Sequence, residues 1–208
     1  EALEGVHFPK DGENAKQARR RFVYEELLHF QLRIQALRKI RKEQELGLSI
    51  HYDLAKLKQF IATLPYELKK KQKRVVNEIC KDLKTPIRMN RLLQGDVGSG
   101  KTVVAAVALY AAVTAGYQGA LMAPTEILAE QHAENLFAWF EPIGLRVGLL
   151  SGSTKTKARR EMLERLQAGE IDILIGTHAL IQPDVMFKNL GLVITDEQHR
   201  FGVRQREL

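Results

Sequence analysis

Two groups of residues in this 208-residue chain have the types and spacing for phosphate chemistry. Gly95-Asp96-Val97-Gly98-Ser99-Gly100-Lys101-Thr102 fits the pattern G-x-x-x-x-G-K-[ST] at every position. Its glycines let the backbone curl so that successive N–H groups point inward, and a following helix N-terminus adds positive partial charge for an anion. In that pattern Lys101 reaches the β- and γ-phosphates of a nucleotide and the Thr102 hydroxyl helps to hold Mg²⁺. The second group is Leu192-Val193-Ile194-Thr195-Asp196-Glu197-Gln198-His199, an apolar run ending in two carboxylates. Mg²⁺-dependent hydrolysis needs one acid for the metal and another that can take a proton from the attacking water. Asp196 is assigned the metal and Glu197 the proton, so Lys101, Asp196 and Glu197 form the catalytic set.

These residues require particular elements around them. Residues 91–94 read as a short strand entering the loop, and the alanine-rich stretch 103–115 as the helix leaving it. Strands are predicted at 119–123, 146–150, 172–176 and 192–195, with helices at 126–140 and 155–168. The strands are continuous apolar runs, as expected where a parallel sheet is covered on both faces. The alternation predicts an α/β fold, a RecA-like phosphate-loop NTPase domain with a parallel sheet. Upstream, 1–14 is polar and reads as an extended lead-in. From 15 to 46, Val23, Leu27, Phe30, Ile34 and Leu37 recur at helical spacing, which predicts a long amphipathic helix serving as a strut on a neighbouring domain. Shorter helical patterns follow around Leu54 to Ile61 and from Gln72 to Leu83, with Pro65 between them. The predicted division is a lead-in with linker helices over 1–60 and a motor domain over 61–208.

Charge and composition narrow the partners. The net charge is +7, with 20 basic against 12 acidic side chains in residues 1–90 and 12 against 13 in residues 91–208. A basic half beside a neutral nucleotide-binding half points to a polyanion such as DNA or RNA, the plainer alternative being a solvated basic helix surface. No run approaches the length of a membrane span, and Glu1-Ala2-Leu3-Glu4 lacks the layout of a signal peptide, so the default location is cytoplasmic. The lone Cys80 builds neither a disulfide framework nor a metal site and reads as a buried small hydrophobe.

Four segments together resemble the superfamily 2 DNA helicases, and within them the RecG family of branched-DNA translocases. They are the phosphate loop 95–102, Ala123-Pro124-Thr125-Glu126-Ile127-Leu128-Ala129-Glu130-Gln131-His132, Gly176-Thr177-His178-Ala179-Leu180, and Asp196-Glu197-Gln198-His199-Arg200-Phe201-Gly202-Val203. Arg21-Phe22-Val23-Tyr24-Glu25-Glu26-Leu27-Leu28 is similar to the linker helix of that family. The resemblance implies an ATP- and Mg²⁺-dependent translocase that remodels stalled forks and Holliday junctions. It implies that Gln72 reads adenine beside the Leu64-Pro65-Tyr66 turn, and that Gln198 and His199 couple the nucleotide to the next motif. It further implies that Pro124, Thr125, Glu126, Gly152, Ser153, Thr177 and His178 meet the DNA backbone. Lys69-Lys70-Lys71 before Gln72, and Thr195 before Asp196, depart from the usual pattern.

The family also has a third motif strand, a second RecA-like domain with an arginine finger, and a wedge domain for branched DNA, none of which is represented up to Leu208. The expectation is therefore a fragment that binds ATP–Mg²⁺ and turns it over poorly, with a sheet either gapped or closed between the loop strand and the Asp-Glu strand. Competing readings are a transcription-repair coupling factor-like motor, a nucleotide-switched nucleic-acid-binding module, and a small-molecule kinase.

Overall fold

The computed structural model describes residues 2–44, 46–96 and 98–196. The chain falls into two compact units, Glu1–Gly47 and Leu48–Leu208.

In the first unit, α1 (Ala2–His7) packs on α2 (Gly12–Gln44). The lead-in read as extended is therefore helical. The reason is a close helix–helix approach: a Cβ on Gly5 would lie 3.0 Å from the Cβ of Ala18, so glycine lets the short helix seat on α2. Asp11 starts α2 by accepting the Asn14 N–H on its carboxylate at 2.7 Å. Val23, Leu27, Phe30 and Leu37 of the predicted stripe are exposed in this unit.

The second unit opens before residue 60. Ile50 and Phe60 are each only 1% exposed, and the Ile50 N–H donates to the Leu83 carbonyl at 2.7 Å. Asp53 caps α3 (Leu54–Thr63), accepting the N–H groups of Ala55 and Lys56 at 2.9 and 3.1 Å. Phe60 stacks on Phe140 at 5.1 Å and lies 4.7 Å from the Tyr110 ring. Such aromatic contacts add about 0.5–1.5 kcal/mol each beyond area burial. Residues 48–60, which the sequence grouped with the linker, thus take part in this unit's core, because their apolar side chains find cover there.

After α4 (Lys70–Leu83) and α5 (Lys101–Thr114) come β1 (Gln118–Met122), α6 (Glu126–Phe140), β2 (Val147–Leu150), α7 (Thr156–Gln167), β3 (Ile173–Gly176) and β4 (Leu190–Thr195). The four strands form one parallel sheet in the order β2-β3-β1-β4. Ile173 and Ile175 enter the core with α3 to α6, whereas Leu174 packs with Leu166 of α7, so alternate side chains of β3 serve opposite faces. Gln118 is buried and satisfied: its amide donates to the Leu166 and Ile171 carbonyls at 3.0 and 2.7 Å and accepts the Asn189 N–H at 2.9 Å. Cys80 is buried, as its lone occurrence suggested.

Two predicted strands behave differently from the rest. Residues 91–94 are not a strand. A strand needs a neighbour for its N–H and C=O groups, and β4 pairs with β1 instead of with this segment. β4 is accordingly an edge of the described sheet, and Val193 is 54% exposed on it, unlike the fully buried β1 and β3. Of the two outcomes open to this sheet, direct pairing of the loop segment with β4 does not occur among the described residues. None of their helices is long and apolar enough to cross a membrane.

Candidate nucleotide and metal site

α5 carries the phosphate loop because it is apolar nearly all round and sinks into the core: Val103, Ala106, Val107 and Leu109 are buried along it. Its N-terminus is thereby held rigid. Gly100 is the N-cap, at φ 81° and ψ 33°, a left-handed conformation that costs an L-residue about 1–2 kcal/mol. A Cβ at Gly100 would also collide with the Gln72 amide nitrogen. The cap has no side-chain acceptor, so the first N–H groups of α5 are left for whatever sits in the loop.

Lys101 folds over the loop, its ammonium donating to the Gly95 and Asp96 carbonyls at 2.7 and 3.0 Å. The Ser99 N–H closes a turn onto the Asp96 carbonyl at 3.0 Å. A cationic side chain, orphan helix N–H groups and a space that only glycine leaves open make a donor set suited to a polyphosphate. Val97 lies outside the described residues.

Gln72 has a structural part apart from the predicted one. It stands in the first turn of α4, accepts the Lys69 N–H at 2.8 Å and donates to the Ser99 carbonyl at 2.9 Å. Its amide thus pins the start of α4 to the phosphate loop. With lysine at the N-cap the first turn of α4 has no acceptor from Lys69, and Gln72 supplies the reciprocal bond alone, from its own side chain back to the Lys69 N–H. The approach to the loop is tied by Arg91, which bonds Glu78 at 2.8 Å and Asp82 at 2.7 Å from α4. Hydrogen bonding to Arg74, helped by Arg91, holds the Glu78 carboxyl below its ordinary value. The Asp82 carboxylate, with Glu78, raises the Arg91 guanidinium. Ion pairing with α4 does for this segment what strand pairing does elsewhere.

Asp196 follows β4. Its N–H donates to the Met122 carbonyl at 2.8 Å, continuing the β1–β4 ladder, and its Oδ2 lies 2.7 Å from His132 Nε2 on α6. A carboxylate at a strand end and the Thr102 hydroxyl in the first turn of α5 are hard oxygen donors of the kind Mg²⁺ takes. Glu197, Gln198 and His199 lie outside the described residues.

The segments assigned to DNA come together in part. Thr125 caps α6, accepting the Leu128 N–H at 3.3 Å. Glu126, next to the half-buried Pro124, accepts the Ser153 N–H at 3.1 Å and packs against Gly152. One carboxylate therefore joins two of the predicted segments. Ser151 is buried and hydrogen-bonds Ser153 at 2.8 Å. Thr177 is 2% exposed and its hydroxyl has no hydrogen-bond partner among the described residues, whereas His178 is exposed. His132 and Arg91 were given no role by the sequence. His132 lies seven residues beyond the Thr125 cap, two helical turns along the same face, a spacing that places it on α6 but names no partner for it.

Residues 69–208 match the family model described as "DEAD/DEAH box helicase". Over 207 residues the chain is 61% identical to the ATP-dependent DNA helicase RecG of Bacillus subtilis (strain 168), covering 100% of this chain and 30% of that protein. It is 60% identical over 206 residues to the RecG of Staphylococcus aureus (strain Mu50), again covering 30% of the relative. The chain thus spans about 30% of the length of these curated relatives. Among solved structures, "Structure of RecG bound to three-way DNA junction" matches with a TM-score of 0.85 and 47% identity, over 97% of this chain and 27% of that one. The UvsW helicase of bacteriophage T4, at 16% identity and a TM-score of 0.54, shares the fold. The RecA-like α/β fold expected from the sequence agrees with these matches.

Proposed function

The chain belongs to the DEAD/DEAH box helicase family, and from that premise we propose that it forms the linker helix and first motor domain of a RecG-like, ATP-dependent translocase acting on branched DNA in the cytoplasm. The observation that carries this reading is the complete phosphate loop at the buried α5, with Gly100 left-handed and Lys101 over the loop. Branched DNA as substrate is supported by the 47% identical RecG structure, which is bound to a three-way DNA junction.

In this reading the α5 N–H groups and Lys101 bind the nucleotide phosphates, and Lys101 turns from the loop carbonyls toward the γ-phosphate. Thr102 and Asp196 hold Mg²⁺, which when bound neutralises charge building on the phosphoryl oxygens. Glu197 takes the proton of the attacking water. Gln72 keeps the loop in register with α4 and reads the base, while Gln198 and His199 carry the nucleotide state onward. Thr125, Glu126, Gly152, Ser153 and His178, with Pro124 at the head of the segment, present hydroxyls, backbone N–H groups and an imidazole along which a DNA backbone can be tracked without reading sequence. Thr177, at 2% exposed, offers no surface to the backbone and is left out of that track. α2 is the linker helix that precedes the motor in the chain.

A facing domain supplies the arginine that stabilises transition-state charge, an effect worth on the order of 10³–10⁵ in rate where measured. The 208-residue chain alone is therefore expected to bind ATP–Mg²⁺ and hydrolyse it slowly with or without DNA. A protein joining it to its second motor and wedge domains is expected to be stimulated more by forked than by linear DNA. Steady-state ATPase assays on both proteins test this. Fast DNA-stimulated turnover by the isolated chain overturns the division of labour, and equal stimulation by linear DNA overturns the substrate.

A further inference from the structure

His132 stands on α6 with its ring Nε2 2.7 Å from Asp196 Oδ2. The two side chains are 13% and 27% exposed, so the contact is largely screened from water. An ionised carboxylate only accepts hydrogen bonds, so Nε2–H is the donor. α6 cannot turn easily, because Ala129, Ala133 and Leu136 bury its inner face in the core. Asp196 is held from its other side too, by the N–H bond to Met122. The carboxylate is thus fixed through its backbone by β1 and through its side chain by α6.

We propose that His132 is a positioning residue for the metal carboxylate: it fixes the rotamer of Asp196 so that the remaining carboxylate lone pairs meet Mg²⁺ or its waters. This rests on the reading of Asp196 as the metal residue. A carboxylate offers about four acceptor sites, so a bond from imidazole does not by itself exhaust it. Partners that orient a metal-binding side chain typically carry 10–100-fold in metal affinity. The position of His132 has a further consequence. α6 begins at Thr125 and Glu126, where Glu126 grips the Ser153 loop, so one rigid helix runs from that loop to the metal carboxylate.

The test is the gain in affinity for a fluorescent ADP analogue on going from EDTA to Mg²⁺, measured on the 208-residue chain and on His132→Leu, His132→Gln and Asp196→Asn. Gln carries an N–H donor near the position of Nε2, and Leu carries none. The expected result is a Mg²⁺-dependent gain that falls about 10-fold in His132→Leu and returns in His132→Gln, with affinity in EDTA the same in both. A gain that is unchanged or larger in His132→Leu, while Asp196→Asn loses it, overturns the positioning role and leaves the metal assignment standing. Equal losses in EDTA and Mg²⁺ also overturn it, as they mark damage to the helix; thermal melting of each variant checks that directly. If Asp196→Asn itself keeps the gain, the metal assignment fails and the role of His132 fails with it.

Discussion

Gln72 shows how one side chain can satisfy two demands. Its amide oxygen caps α4 through Lys69 and its nitrogen holds the Ser99 carbonyl. If it served only to read a base, its removal would leave stability untouched. The structure instead predicts that Gln72→Ala destabilises the second unit by about 1–2 kcal/mol, the usual cost of losing a cap together with a neutral hydrogen bond. Urea unfolding without nucleotide measures it, and a midpoint equal to that of the unaltered chain contradicts the tether. Gly100 belongs to the same arrangement: with a side chain there, the loop would lose both its left-handed cap and the place of the Gln72 amide.

Among the elements, α4 is the one on which the loop's approach depends. Arg91 reaches back to Glu78 and Asp82, while Glu78 also pairs with Arg74 one turn earlier on the helix. The Glu78 carboxyl is depressed from 4.5 by these guanidinium groups. A depressed acid stabilises the folded state above its unfolded value and ceases to do so as pH falls through the folded one. The stability difference between the unaltered chain and Glu78→Gln should therefore be constant above about pH 5 and shrink as pH drops below 4.5. Denaturant midpoints across that range check the sign; a difference that grows with acid refutes it. Glu78 is on the surface, so salt should also reduce the effect. α6 joins the Ser153 loop to Asp196 by the same kind of specific polar contact.

At the scale of the molecule, the second unit is held by a sheet covered on both faces and by a small number of buried polar links between segments distant in sequence. Gln118 is the most connected of them, bridging the end of α7, the entry to β3 and the residue before β4. Gln118→Leu keeps the volume and removes all three hydrogen bonds, orphaning the buried Ile171 carbonyl, whereas the Leu166 carbonyl keeps the Gly169 N–H and the N–H of the exposed Asn189 can turn to water. At about 1–3 kcal/mol for the one buried unsatisfied group, with about 0.5–1.5 kcal/mol for a hydrogen bond lost elsewhere, a loss of roughly 2–4 kcal/mol is expected, visible as a lowered thermal midpoint. A midpoint within a degree or two of the unaltered chain would show that the sheet base is satisfied in another way.

Local pattern determined a great deal of this protein. Residues 95–102 carried the pattern of a phosphate loop, and α6 was bounded correctly at Glu126–Phe140, because capping chemistry and hydrophobic period act within a few residues. The apolar runs placed β1, β2, β3 and β4 to within two residues of where they lie. What depended on partners was decided only in three dimensions. Residues 91–94 carry strand-like side chains, yet they form no strand, since a backbone ladder requires a neighbour that local sequence does not specify. Residues 48–60 joined the second unit because Phe60 found Phe140 and Tyr110. The short α1 depended on Gly5 meeting Ala18. The same holds at the site. The types of Lys101 and Asp196 suggested a chemistry, but that Gln72 would hold Ser99 and His132 would hold Asp196 follows from packing α4 beside α5 and from bringing His132 of α6 to the residue after β4, and short-range spacing carries no record of either contact.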